Sequence, residues 1–246
     1  MKKGQVTLFI LLGVLLVILV LLLFYLAKDL ENPFSTKKTI IFSNLEGNIR
    51  NCITTAALDG VYSNGVRGGY YPVEGKTLQF LGDKIPYFIY NNNTKVPAAD
   101  SVGSSLGKYI EDNFYDCLQL DELKEQNFSI KTKEANADIS IKKQITVKIN
   151  TGITASKDSI TATFDDYEEV IDFNYLNILN TVNTIVEASR NQVPMGLLTD
   201  LSKENNFKFE IIMLNNNTAI YSLYYYNLTQ KEEPYRFSFL AEYDWK

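Results

Sequence analysis

Residues 1–26 constrain this chain more than any other stretch. Between Val6 and Leu26 lie 21 residues without a charge, 18 of them Leu, Ile, Val or Phe. At 1.5 Å rise per residue, a helix of that length spans roughly 31 Å, the thickness of a bilayer's hydrocarbon core. On an insertion scale, about −0.3 to −0.6 kcal/mol per such residue sums to about −5 to −11 kcal/mol. A core helix of a globular protein is rarely apolar on every face over that length. The run ends Phe24-Tyr25-Leu26-Ala27-Lys28-Asp29 with no small-residue cleavage pattern, so it reads as a retained anchor and not a removable signal. Lys2 and Lys3 precede it, while the far flank mixes signs (Lys28, Asp29, Glu31). This asymmetry puts the N-terminus in the cytoplasm and the rest of the chain outside the cell. The expected division is a basic tail or leader at 1–4, a transmembrane helix at 5–27, a juxtamembrane linker at 28–37 and an extracytoplasmic domain at 38–246.

Composition narrows what that outer domain does. Setting aside Lys2 and Lys3 leaves 22 basic against 29 acidic residues, a net charge of −7. Such a domain has no electrostatic reason to bind nucleic acid. There is no histidine, which removes Ser-His-Asp and Cys-His catalysis, His-bearing zinc sites and histidine-held haem. No cofactor or metal is expected. The only cysteines are Cys52 and Cys117. Outside the cell an even number of cysteines favours one disulfide, and closing about 65 residues is worth roughly 4 kcal/mol in the loop-entropy model.

Lys3-Gly4-Gln5 directly before the apolar run resembles the archaeal prepilin-type (class III) leader. The resemblance implies cleavage after Gly4, with Gln5 as the first mature residue and a prepilin peptidase as partner. The fifth mature position would be Phe9 in place of the usual Glu, a departure that weighs against filament assembly. More of the chain is similar to single-anchor surface proteins of small-genome (DPANN-type) archaea. The carrying features are Lys2-Lys3-Gly4-Gln5-Val6-Thr7-Leu8-Phe9, Asn51-Cys52-Ile53, Arg67-Gly68-Gly69-Tyr70-Tyr71, Tyr109-Ile110-Glu111-Asp112-Asn113 leading to Cys117, and Tyr235-Arg236-Phe237-Ser238-Phe239. That resemblance implies a location and an architecture; none of these motifs is catalytic.

Periodicity predicts an α+β ectodomain with an antiparallel sheet and several amphipathic helices. Asn32-Pro33-Phe34-Ser35-Thr36 reads as the linker. A helix is expected from Ile41 to about Asn64-Gly65, then a glycine-rich turn segment enclosing Tyr70 and Tyr71. Lys76 to Tyr90 reads as extended, with Pro86 confining it to an edge, and Asn91–Thr94 as a loop. A second helix is expected over Ser101–Leu118. Each cysteine falls on the apolar side of its helix, so a disulfide would staple the two. Strands follow at Phe128–Lys131, Ala137–Ile149 and Ser159–Phe164. In the middle one Lys143 alone breaks the apolar face, marking a bulge or a point where the strand leaves the core. Helices at Tyr175–Arg190 and Met195–Glu204 precede strands at Phe207–Leu214, Ala219–Tyr226 and Tyr235–Tyr243.

Several short motifs carry residues of chemically capable types. Asn-x-Ser/Thr sequons stand at Asn92, Asn127, Asn216 and Asn227, of which Asn92 and Asn216 fall in Asn-rich loops open to a glycan. Ser105-x-x-Lys108 and Ser140-x-x-Lys143 have the Ser/Lys nucleophile spacing but no companion motif. Gly103-Ser104-Ser105-Leu106-Gly107-Lys108 is one residue short of a phosphate loop, and Tyr109 replaces the magnesium-binding hydroxyl. Asp165, Asp166, Glu168, Glu169 and Asp172 offer oxygen ligands for calcium but without an EF-hand loop, so a solvated acidic face is the expectation. The C-terminal tyrosines (Tyr221, Tyr224, Tyr225, Tyr226, Tyr235, Tyr243) read as ordinary strand residues more than as a contact surface.

These readings point to a non-enzymatic, membrane-anchored surface protein with a structural or contact role. Its expected partners are the lipid bilayer and other envelope or host-cell proteins. A pilin-like filament subunit is the first alternative and an envelope enzyme the last.

Overall fold

A computed structural model describes residues 13–21, 33–118, 120–125, 127–190, 192–226 and 233–243. The fold is α+β with antiparallel-rich sheets. Residues 13–21 are helical (α1). Among the described residues no helix is long and apolar enough to cross a membrane; most of the expected span at 5–27 lies outside them. The leader residues Gly4 and Gln5, and the sequon at Asn227, lie outside them too.

Helix α2 runs Pro33–Val66, so Pro33 opens a helix instead of breaking one. Proline is tolerated in the first turn, where its missing N–H would have no intrahelical partner. The expected linker at 28–37 therefore runs into α2, and 28–32 lie outside the described residues. One face of α2 buries Phe42, Leu45, Ile49, Cys52, Ile53, Ala56, Ala57 and Val61, the three-and-four spacing of an amphipathic helix. After α2 come β1 (Thr77–Phe80), β2 (Asp83–Tyr90), β3 (Asn93–Thr94), α3 (Ala99–Cys117) and α4 (Leu120–Glu125). Strands β4 (Ser129–Lys131), β5 (Asn136–Ile141), β6 (Ile145–Lys157) and β7 (Ile160–Ile171) follow. Helices α5 (Tyr175–Ala188) and α6 (Met195–Asn205), then β8 (Phe207–Met213), β9 (Thr218–Tyr225) and β10 (Tyr235–Glu242), complete the order.

The described residues form two sheets, where periodicity suggested one. The first has the order β1-β2-β10-β9-β8, with β3 also on β2; only the β2–β10 pairing is parallel. The second places β6 between β7 on one side and β4 and β5 on the other. Helix α2 touches β10 of the first sheet and β7 of the second. A continuous cluster of buried apolar side chains runs from Phe42 to Tyr243 and draws on both sheets. Within it Phe239 stacks on Phe88 and on Tyr221, with ring centroids 5.0 Å apart in each pair. This ladder ties β2, β10 and β9 together.

Several strand readings need correction. Lys76–Tyr90 is a hairpin of β1 and β2 that turns at Leu81–Gly82. The run Ala137–Ile149 is a hairpin of β5 and β6, turning at Lys142–Gln144, where the Lys142 N–H donates to the Gln144 carbonyl. Its alternation looked continuous because the pairing puts Ile141 opposite Ile145 and Ile139 opposite Val147. A three-residue turn preserves parity, so both arms present their isoleucines to one face, and Lys143 sits in the turn. Pro86 is not at an edge. It is buried and lies where β2 stops pairing with β1, at Thr77, and begins pairing with β10, at Tyr87. Its missing N–H is tolerated at that changeover.

Helix α3 is stapled and wedged. Cys52 of α2 and Cys117 of α3 form the expected disulfide, with Cα atoms 5.5 Å apart. On another face α3 covers the free side of β5. A Cβ placed on Gly103 would lie 2.7 Å from the Ile139 carbonyl oxygen, and one on Gly107 would lie 2.8 Å from that of Ala137. One turn on, the Glu111 carboxylate accepts the Ala137 N–H at 2.9 Å. Gly103, Gly107 and Glu111 thus form one stripe that answers the open backbone of an edge strand. The glycines that suggested a phosphate loop serve this contact. Turn chemistry elsewhere is local: Asn91 and Asn92 (φ 49° and 58°), and Asp158 and Ser159 (φ 51° and 64°), make two-residue hairpins in the left-handed region.

Candidate functional site

Helix α2 ends in a tight turn in which the Gly69 N–H donates to the Asn64 carbonyl at 2.7 Å. Gly68 and Gly69 adopt φ of 61° and 85°, values a side chain would resist. The turn delivers Tyr70, Tyr71 and cis Pro72 to the surface. There they form one wall of a groove of about 660 Å³, whose other walls are the β2–β3 hairpin and Ser105 of α3. The Tyr70 ring stands edge-on to Phe88 at 6.5 Å, and Tyr71 edge-on to Tyr109 at 5.0 Å. Both tyrosines are therefore held by rings of the body beneath them.

The opposite wall depends on a bulge. Along β2 the residues Tyr87 and Ile89 pair with Leu240 and Ala241, which are consecutive on β10. Phe88 is the extra residue, and both Phe88 and Ile89 point into the core at 1% exposure. Period-two alternation is broken there, so Tyr90 emerges on the same side as Tyr87. Their rings meet at 5.8 Å. The Lys76 ammonium sits 3.1 Å from the Tyr90 ring centroid and 4.5 Å from that of Tyr87, an electrostatically favourable seat. It also donates to Glu242 at 3.0 Å. Partial desolvation opposes its charge, but the bonds to Glu242 and Tyr90 outweigh this and hold Lys76 above its ordinary pKa. Burial likewise raises Tyr70, and raises Tyr87 against the pull of the Lys76 charge. Both phenols stay neutral at physiological pH. The groove thus presents aromatic rings, hydroxyls, the Asn91 and Asn93 amides, the charged Glu74 and Lys95, and Lys76 already paired with a carboxylate. That set suits contact and hydrogen bonding.

The other singled-out residues are scattered. Ser105 lines the groove, but Lys108 is turned to Asp112 at 2.5 Å. That hydrogen bond raises the lysine's pKa, opposite to what a general base requires. Ser140 is exposed on β5 and Lys143 exposed in the turn beyond it. The acidic run lies on β7, longer than the expected strand at Ser159–Phe164. Four of its members pair individually: Glu168 with Lys148 at 3.8 Å, Glu169 with Arg50 at 2.8 Å, Asp166 with the Asn150 amide at 3.0 Å and Asp172, just past β7, with the Gln144 amide at 3.2 Å. Among the described residues no group of three or more acidic or cysteine side chains is placed to hold a metal ion. Asn92 occupies the β2–β3 turn beside the groove, while Asn127 and Asn216 stand exposed in other turns. Of the C-terminal tyrosines, Tyr221, Tyr235 and Tyr243 are core residues and only Tyr226 is more than half exposed, at 53%.

Tyr70 and Tyr71 were legible as a turn-borne pair; Lys76, Tyr87 and Tyr90 were not. No residue spacing announces the bulge at Phe88, and without it Tyr87 and Tyr90 fall on opposite faces. No family model matches this chain, and neither a curated protein nor a solved structure matches it.

Proposed function

We propose that this chain is a single-pass, membrane-anchored surface protein with a non-enzymatic structural or contact role, and that the tyrosine-lined groove is its contact site. The observation that carries the anchor is α1. Eight consecutive large apolar side chains, Val14 to Leu21, are exposed by 40–63%. No globular surface tolerates such a run in water, whereas lipid satisfies it. The Cys52–Cys117 disulfide agrees with an oxidising, extracytoplasmic location for the body of the chain.

The test is membrane fractionation of the native protein with N-terminal mass spectrometry, joined to protease digestion of intact cells. The expected result is a membrane-bound chain whose residues 38–246 are digested from outside. A chain that stays in the soluble fraction overturns the reading. A chain beginning at Gln5 and enriched in sheared filaments replaces it with the pilin-like alternative, for which Lys3-Gly4-Gln5 is the motivating feature.

A further inference from the structure

Open strand edges invite pairing with another chain, and folded proteins blunt them. Among the described strands, all edges but one are short, covered by a helix or strongly acidic. Strands β1, β3 and β4 are only four, two and three residues long. The β5 edge is covered by α3 through Gly103, Gly107 and Glu111. Strand β7 carries four carboxylates, Asp165, Asp166, Glu168 and Glu169.

Strand β8 is the least protected of them, although α6 touches it and Ser202 reaches the Phe207 carbonyl at its start. It is seven residues long, Phe-Lys-Phe-Glu-Ile-Ile-Met, without glycine or proline, and among the described strands it pairs only with β9. The Leu214 N–H donates to the Thr218 carbonyl at 2.8 Å, which sets the parity of the strand. Even-numbered residues turn their backbone groups to β9, and Phe207, Phe209, Ile211 and Met213 turn theirs to the open edge. The Ser202 hydroxyl, donating to the Phe207 carbonyl at 2.6 Å from outside the ladder, agrees with that direction. Phe209 and Ile211 are half-buried, and Met213 is 48% exposed.

We propose that β8 pairs antiparallel with β8 of a second copy of this chain, about a two-fold axis at Phe209. Parity admits three central registers. An axis at Glu210 sets Glu210 against its own copy, a like-charge clash. An axis at Ile211 sets Lys208 against Leu214 and Glu210 against Ile212, matching charge with apolar surface. An axis at Phe209 sets Lys208 opposite Glu210 twice. These are non-hydrogen-bonded pairs, in which side chains lie closest. The same register puts Phe209 against Phe209 and Phe207 against Ile211 on the core side, and offers about four new backbone hydrogen bonds with the Phe207 carbonyl left to Ser202. The charge pattern of the edge is therefore self-complementary in one register, which identifies the occupant as a second copy. This interface goes beyond the anchored-protein reading and stands without it.

The experiment is analytical ultracentrifugation of the full chain in detergent micelles over a range of protein concentrations. The wild type is expected to dimerise. Lys208→Glu sets like charges opposite each other twice and raises the dissociation constant about tenfold or more. Lys208→Glu combined with Glu210→Lys restores the dimer. Ile211→Pro removes no bond to β9, because that N–H faces outward, and is expected to abolish pairing. Circular dichroism melts check that each variant is folded. A monomeric wild type overturns the proposal. So does a dimer, such as one held by the anchor, that survives both Lys208→Glu and Ile211→Pro. So does a doubly reversed variant that melts like wild type yet stays monomeric.

Discussion

The glycines of the helices make a sharp test, because one chemical change should have opposite signs at different places. In an exposed helix interior, Gly→Ala gains about 0.8–1 kcal/mol from reduced backbone entropy. Gly47 of α2 is such a site, with no atom within 4 Å of an added Cβ. At Gly107 and Gly103 the added Cβ meets backbone oxygens of β5 at 2.8 and 2.7 Å. A relaxed carbon–oxygen contact is about 3.3–3.6 Å, so helix and strand must separate by about half an ångström or more. Neither yields easily. Strand β5 is laddered to β6 along its length, and α3 is tied to α2 by the disulfide. Overpacking against fixed backbone costs about 2–3 kcal/mol. Net of the helix gain, each of Gly103→Ala and Gly107→Ala should lose about 1–2 kcal/mol. Urea unfolding of the full chain in micelles, followed by far-ultraviolet circular dichroism, reads the difference. With a slope of about 2 kcal/mol per molar, the midpoint should fall by about 0.5–1 M for either wedge variant and rise by about 0.5 M for Gly47→Ala. If all three midpoints rise together, the wedge does not exist as described.

Removing the staple with Cys52→Ala and Cys117→Ala should cost about 4 kcal/mol, since the bond closes 65 residues of chain; a loss below about 1 kcal/mol in the same assay would contradict a constrained unfolded state. With no histidine in the chain, stability should be flat from about pH 6 to 9. It should then fall on the alkaline side. Burial raises the phenols of Tyr175 and Tyr235, and pushes Tyr167 up to about 12. Each binds its proton more tightly folded than unfolded, so its contribution is complete below about pH 10 and is lost as pH climbs through the folded value. Each fully buried phenol should remove about 1.4 kcal/mol per pH unit above that point, and a pH series of urea midpoints that stays level to pH 12 would refute this burial.

Helix and strand positions outside the turns were readable because they depend on local period. The expected helix at Tyr175–Arg190 is found at Tyr175–Ala188, and Met195–Glu204 at Met195–Asn205. Both have local boundary signals: Asn174 caps the first, its side chain accepting the Asn177 N–H at 3.1 Å, and left-handed Asn206 closes the second. The groove was only half readable. Tyr70 and Tyr71 sit in a glycine-rich turn that any reader of the chain would mark, but the opposite wall depends on a register shift between strands some 150 residues apart.

The sequence by itself determined the uncharged apolar run at the N-terminus, the absence of histidine chemistry, the apolar faces that carry Cys52 and Cys117, and the α+β alternation. All of these follow from residue type and spacing over a few turns of chain. Tertiary structure decided what local pattern leaves open. It divided the strands between two sheets and turned one apparent strand into the β5–β6 hairpin. It also set Gly103 and Gly107 against a strand edge and brought Tyr90 round to Tyr87. Each of these rests on a long-range pairing, and a pairing is a property of two segments that neither one encodes alone.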